Sequence, residues 1–313
     1  MASAGFADPA VVTSASSPSA AQPGRRTIDP KLIASLAAVY VIWSSTYVAI
    51  RIAVESLPPL LMASARFSTA GLVLLIVAIR RGSAWPSLRE WRRVFPIGLL
   101  LFLGGNGFVA ISEMTVSSSG AAVVCALMPL WVGVLGIMTR EMPSRREWFS
   151  LVVGFVGVVV LIGSPSLAGK PLHVALLLAA PICWAAGSMY ARRLPPSGPS
   201  DAFLAPAMQM ITGSMVLLVA GIATGEQIPD HVTTASWLAF GYLWLFGSMI
   251  AFTAYNWLLR HARPAVATSY AYVNPILAVI MGAAISGEPL GASMIIANVL
   301  IVGAVMLALM RRR

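Results

Sequence analysis

Charge is what this chain has least of. Only 10% of its 313 residues are Asp, Glu, Lys or Arg, and 11 of them are acidic. Soluble domains keep about a quarter of their residues charged, so a water-facing surface could not be covered and no second, soluble domain fits. Cysteine is scarce as well. Cys125 and Cys183 both fall inside long apolar stretches, which excludes a disulfide framework and reads them as small core residues. His173, His231 and His261 lie scattered at or near the ends of such stretches. No zinc, phosphate-loop or nucleophile motif can be assembled, so no metal, no cofactor and no enzymatic activity is expected.

What the chain does have is hydrophobic surface, at 58% of residues and a mean hydropathy of +0.83. This composition describes an integral membrane protein. Runs long enough to cross a bilayer occupy 32–52, 60–79, 94–112, 120–139, 148–163, 172–191, 202–224, 237–259, 265–285 and 291–310. Proline, glycine or charge punctuates the short loops between them, as at Pro58-Pro59, Pro195-Pro196 and Gly287 with Pro289. The expected fold is all-α, with ten transmembrane helices.

With ten spans, alternate loops share a side with both termini, and 18 of the 21 basic residues fall there. Arg51, Arg66 and Lys170 are the exceptions. The positive-inside bias therefore predicts cytoplasmic N and C termini. It also accounts for the net charge of +10 without nucleic acid as a partner, since the arginines are spread over separate short segments. Residues 1–31, rich in Ala, Ser and Pro, read as a disordered cytoplasmic tail rather than a signal peptide.

An internal repeat runs through the rest. A shift of 141 places Trp43 and Arg51 on Trp184 and Arg192; a shift of 143 places Gly98 and Gly104 on Gly241 and Gly247. Met128-Pro129-Leu130 matches Asn274-Pro275-Ile276 at 146, and Glu141 matches Glu288 at 147. The ordered drift is what short insertions in a duplication produce. Two units of five helices follow, 32–164 and 172–310. An odd number of spans inverts the second unit, and inverted repeats around a central cavity are the architecture of alternating-access transporters.

Polar residues inside the spans are candidates for a site in that cavity. Pro275 and Pro129 each remove a helical hydrogen bond, so helix kinks are expected there; packing alone is the rival explanation. Four residues apart, Tyr270 and Asn274 share a helix face, while Thr268 and Tyr272 share nearly the opposite one, and the first pair is favoured as cavity-lining. Trp43, Tyr47, Asn106, Trp184, Tyr255 and Asn256 complete the expected substrate contacts. The competing reading of the aromatics is an interfacial belt. Arg51, Glu55, Arg66, Glu113 and Glu288 are assigned to the outer side, away from the midplane, where most could snorkel to the headgroups or pair, as Arg51 with Glu55 at i, i+4. Glu113 is the candidate for proton coupling. An interfacial carboxylate is the alternative.

The chain resembles the ten-helix EamA family of the drug/metabolite transporter superfamily, and most closely its YedA-like branch. The likeness is carried by IWSSTYVAIRIAVESLPPLLMASARF, GGNGF followed by SEM, SSGAAVVCALMPLW, and ATSYAYVNPILAVIMG followed by GEPL. Ser44 and Ser118 depart from it, standing where Gly and Pro are usual. The resemblance implies two inverted five-helix repeats and export of small metabolites, amino acids or drug-like compounds across the bacterial inner membrane. It leaves the substrate open, and it is compatible with a monomer or a homodimer. Flipping of a lipid or lipid-linked sugar is the alternative transport reading, and a non-transport assembly protein the more distant one.

Overall fold

The computed structural model describes residues 29–137, 144–162, 164–194, 201–262, 266 and 269–309. Nearly all of the expected tail, together with Thr268 and Glu141, lies outside these residues. The described part contains α1 (Pro30–Ala53), α2 (Pro59–Arg80), α3 (Leu88–Ser112), α4 (Ser118–Gly136), α5 (Arg145–Ile162) and α6 (Pro171–Arg192). It continues with α7 (Asp201–Ala223), α8 (Thr234–Leu258), α9 (Tyr270–Ser286) and α10 (Ala292–Leu309). Among the described residues, seven helices are long and apolar enough to cross a membrane: α1 to α4, α6, α7 from Phe203, and α8. Shorter apolar helices, Val273–Ser286 and Ala292–Leu307, lie within α9 and α10.

Local chemistry sets the helix starts. Pro30 follows the Asp29 cap of α1, where a missing N–H costs nothing. Ser87 and Glu90 close a capping box at α3. Two other N-termini are capped from distant parts of the chain. The Glu226 carboxylate accepts from the amides of Leu60 and Leu61 at 3.0 and 2.8 Å on α2. Glu288 does the same for Ser118 and Ser119 on α4, at 2.8 and 3.0 Å. A carboxylate at a helix N-terminus satisfies orphan donors and meets the positive end of the dipole. Ser118, the departure from the family pattern, contributes its hydroxyl to the same carboxylate at 2.7 Å.

Packing then places the helices. The α2–α7 and α5–α10 pairs have the most extensive contacts, while α1 lies against α8 and α9, α3 against α6, and α4 against α9. Small residues permit these approaches: a Cβ on Gly71 would meet Ile211 of α7 at 2.9 Å, and one on Gly157 would meet Ile301 of α10 at 2.7 Å. Leu72 and Ile76 of α2, Phe155 and Val159 of α5, and Val219 and Ile222 of α7 are exposed. Exposed apolar faces on helices whose backbones are internally bonded suit lipid as solvent.

Among the described residues, three helices depart from regular α geometry. Leu99–Gly107 in α3 and Leu243–Ile250 in α8 are π-helical. In each, a side chain returns to the carbonyl five residues back: Asn106 Nδ2 to Leu101 at 3.0 Å, and Ser248 Oγ to Leu243 at 3.2 Å. Such widened turns recur at functional sites. In α4, Pro129 does more than kink the helix. The helix stops at Cys125 and restarts at Met128, with Ala126 and Leu127 as a turn between.

Candidate binding cavity

Seven helices converge on a cavity of about 130 Å³. Trp43, Thr46, Tyr47 and Ile50 come from α1, Arg66 and Phe67 from α2, and Gly105, Asn106 and Val109 from α3. The interruption of α4 contributes Ala122, Cys125, Ala126 and Met128, and α6 adds Ala180, Pro181 and Trp184. Gly247 and Phe252 of α8 and Tyr270, Ala271, Asn274 and Pro275 of α9 complete the wall. Both prolines inside α6 and α9 border it. Backbone carbonyls freed by proline are tolerated at membrane depth where they face protein or a wet cavity.

Of the expected site residues, Trp43, Tyr47, Asn106, Trp184, Tyr270 and Asn274 are brought together here. The Tyr270/Asn274 face of α9 is the one turned inward; of Tyr272 only the helical backbone is described. Tyr255 stands outside the lining, behind it, with its ring 4.9 Å from Trp43 and 5.5 Å from Tyr270. Asn256 also stands outside the lining, its amide donating to the Phe252 carbonyl of its own helix at 2.8 Å. Pro129 is one residue past the wall, where Met128 takes the position.

Arg66 does not snorkel outward: its side chain is turned into the protein. It lies seven residues into α2, roughly 10 Å along the helix axis, and it is 5% exposed in the cavity wall. Its guanidinium lies 4.0 Å from the Phe67 ring centroid and donates to Asn106 Oδ1 at 3.3 Å. Nε is buried without a partner. Asn106 is therefore committed twice, to Arg66 and to the Leu101 carbonyl, and it positions the cation as well as lining the space. Arg51 also differs from expectation. Instead of pairing with Glu55, it donates to the main-chain carbonyl of Glu113.

Aromatic rings make much of the remaining wall. Trp43 and Tyr270 meet edge to face at 5.2 Å, and the Trp184 ring lies over Gly105, where a Cβ would sit 2.5 Å from Cε3. Asn274 is 7% exposed and its Oδ1 has no partner. Glu113, one residue beyond α3, stays outside the cavity, fully buried, with both carboxylate oxygens unpartnered. Burial foremost, then the Glu288 charge, pushes its carboxyl well above the usual carboxylate range, against the pull of Arg51.

A buried, partly aromatic cavity among membrane helices fits a carrier, and the sequence comparisons decide the family. The EamA-like transporter family matches residues 31–163 and again 172–310. The chain belongs to the EamA-like transporter family. The uncharacterized inner membrane transporter YedA of Escherichia coli K12 is 43% identical over 265 residues, covering 83% of this chain and 84% of that one. A probable amino-acid metabolite efflux pump of Salmonella typhimurium is 23% identical over 275 residues, 84% of this chain and 89% of that one. Protein PecM of Dickeya dadantii is 25% identical, with 77% and 80% covered. A solved crystal structure superposes with a TM-score of 0.60 at 19% identity, covering 89% of this chain and 96% of that one, and is similar in fold. This EamA-family chain is accordingly a membrane transporter. Sequence reasoning passed over Phe67 and Pro181 in its cavity and read Cys125 only as a small core residue; Pro181, a proline inside the sixth apolar run, was the readable signal.

Proposed function

We propose that the protein exports small organic metabolites, amino acids or drug-like compounds across the bacterial inner membrane by alternating access, acting as a carrier and not as an enzyme. The observation that carries this reading is the cavity itself, in which one cation, two amides and six aromatic side chains of the described residues meet among seven helices. In this proposal, residues 32–164 and 172–310 are inverted five-helix repeats, giving ten spans with both termini cytoplasmic. The matching π-helical segments support it. They begin 144 residues apart, at Leu99 and Leu243, close to the offset that relates Gly104 to Gly247. Inverted halves allow the two access states to be near mirror images about one midplane site.

Trp43, Tyr47, Trp184, Tyr270 and Asn274 are the proposed substrate contacts, with Glu113 as the candidate for proton coupling. The name of the Salmonella relative, an amino-acid metabolite efflux pump, supports export of such solutes. Counterflow tests the reading. Purified protein in liposomes preloaded with one compound should accumulate trace label of that compound without an ion gradient. Asn274→Ala should lower the rate about tenfold, an unpaired polar contact being worth about 1 to 2 kcal/mol, while membrane insertion is unchanged. Full activity in a well-inserted variant would remove Asn274 from the site. Silence across a panel of soluble metabolites, with folded protein, would turn the assignment toward lipid-linked substrates.

A further inference from the structure

Among the described residues lining the cavity, Arg66 is the only charged side chain, and no carboxylate faces it there. A guanidinium has five N–H donors in a planar fork. Here one donates to Asn106 at 3.3 Å, at the long end for a hydrogen bond, and Nε is buried with none. A buried cation left unpaired is costly, and charged groups inside membrane spans mark substrate pathways by default. Also in the wall, the buried Asn274 side chain has an unpartnered acceptor, Oδ1. A cationic donor thus awaits an anion and an amide oxygen a donor, while the rest of the wall offers aromatic faces from Trp43, Trp184 and Tyr270.

We infer that the transported solute is an organic monoanion, its carboxylate held by Arg66 and its flat apolar body held among Trp43, Trp184 and Tyr270. This inference rests on the transport reading above and names its substrate class. The pairing is chemically specific. Arginine and carboxylate form short, charge-assisted, often bidentate hydrogen bonds, and at low dielectric these discriminate strongly against a neutral isostere. A cationic solute would meet Arg66 as a like charge. Size follows from volume: one water needs about 10 to 15 Å³ of such space, so 130 Å³ holds a solute of roughly ten non-hydrogen atoms.

Phenylacetate, phenylacetamide and phenethylamine share one ring and carry charges of about −1, 0 and +1, so they read the site directly. Equilibrium dialysis against the full chain in phosphatidylcholine nanodiscs should show phenylacetate binding about tenfold tighter than either analogue. Arg66→Gln should cancel that advantage, so that phenylacetate binds no tighter than phenylacetamide in the same variant, with an unchanged unfolding midpoint reporting an intact fold; Arg66→Lys should retain part of the preference. The inference is overturned if the amide or amine binds as tightly as the carboxylate, if the preference survives in Arg66→Gln, or if phenylacetate does not bind at millimolar concentration. Phosphatidylglycerol nanodiscs separate the two sources of an anion. Retained binding there supports a soluble solute, whereas loss by competition assigns Arg66 to a lipid headgroup and overturns it. Phenylacetate binding without counterflow would sink the carrier reading and leave the anion site standing. Counterflow of neutral or cationic solutes with no anion preference would do the reverse.

Discussion

A carboxyl without a partner is the residue-scale feature with the clearest energetic consequence. Glu113 is fully buried, both its oxygens lack hydrogen bonds, and its affinity for a proton is raised in the folded protein by burial and by Glu288. Above the ordinary Glu value of about 4.3, the native state therefore binds more protons than the unfolded chain, so stability falls as pH rises toward the folded value. Thermal unfolding of purified protein between pH 6 and pH 9 should show a falling midpoint. Glu113→Gln should flatten that slope and raise the midpoint at the alkaline end, because the amide cannot ionise. Parallel slopes for the two proteins would show that Glu113 is not the group responsible. The sequence placed this carboxylate at the end of the third apolar run. Its complete burial and the turning of Arg51 onto its carbonyl depended on neighbours more than sixty residues away in either direction.

Helices carry the cavity's shape, and their irregularities are where it is set. Pro181, Pro275 and the interruption before Pro129 were in the sequence as prolines within apolar runs; the π-helical turns were not, because glycine-rich segments such as GGNG also read as packing faces. Gly105 shows how closely element and site are joined. Its missing Cβ leaves room for the Trp184 ring, so Gly105→Ala forces that ring toward the cavity or α3 away from α6. Overpacking of this kind costs about 1 to 3 kcal/mol. The expected result is a lowered unfolding midpoint together with a severalfold loss of counterflow. Gly303→Ala, on α10 with nothing within 4 Å of the added carbon, is the matched control and should change neither. Equal behaviour of the two variants would mean that the α3–α6 approach does not shape the site.

For the whole molecule, orientation is the property that distribution of charge predicts. In a chain lacking Cys125 and Cys183 through Cys125→Ser and Cys183→Ala, an impermeant maleimide applied to intact cells should label Lys170→Cys and spare Gly82→Cys. Both positions are exposed. The opposite pattern would invert the proposed topology, and labelling of both would break the span count. Composition alone determined that this is a helical membrane protein, because a chain with so little charge cannot dress a water-facing surface and lipid demands that backbone groups be paired within each span. The motifs determined the family, since short ordered stretches survive wherever helices must pack and bend in one way. Convergence was left to the tertiary structure. Helical periodicity places Tyr270 and Asn274 on one face, yet which residues of seven separate helices share one space depends on crossing geometry. That is why Arg66 emerged as the cavity's cation only when α2, α3 and α9 were packed together.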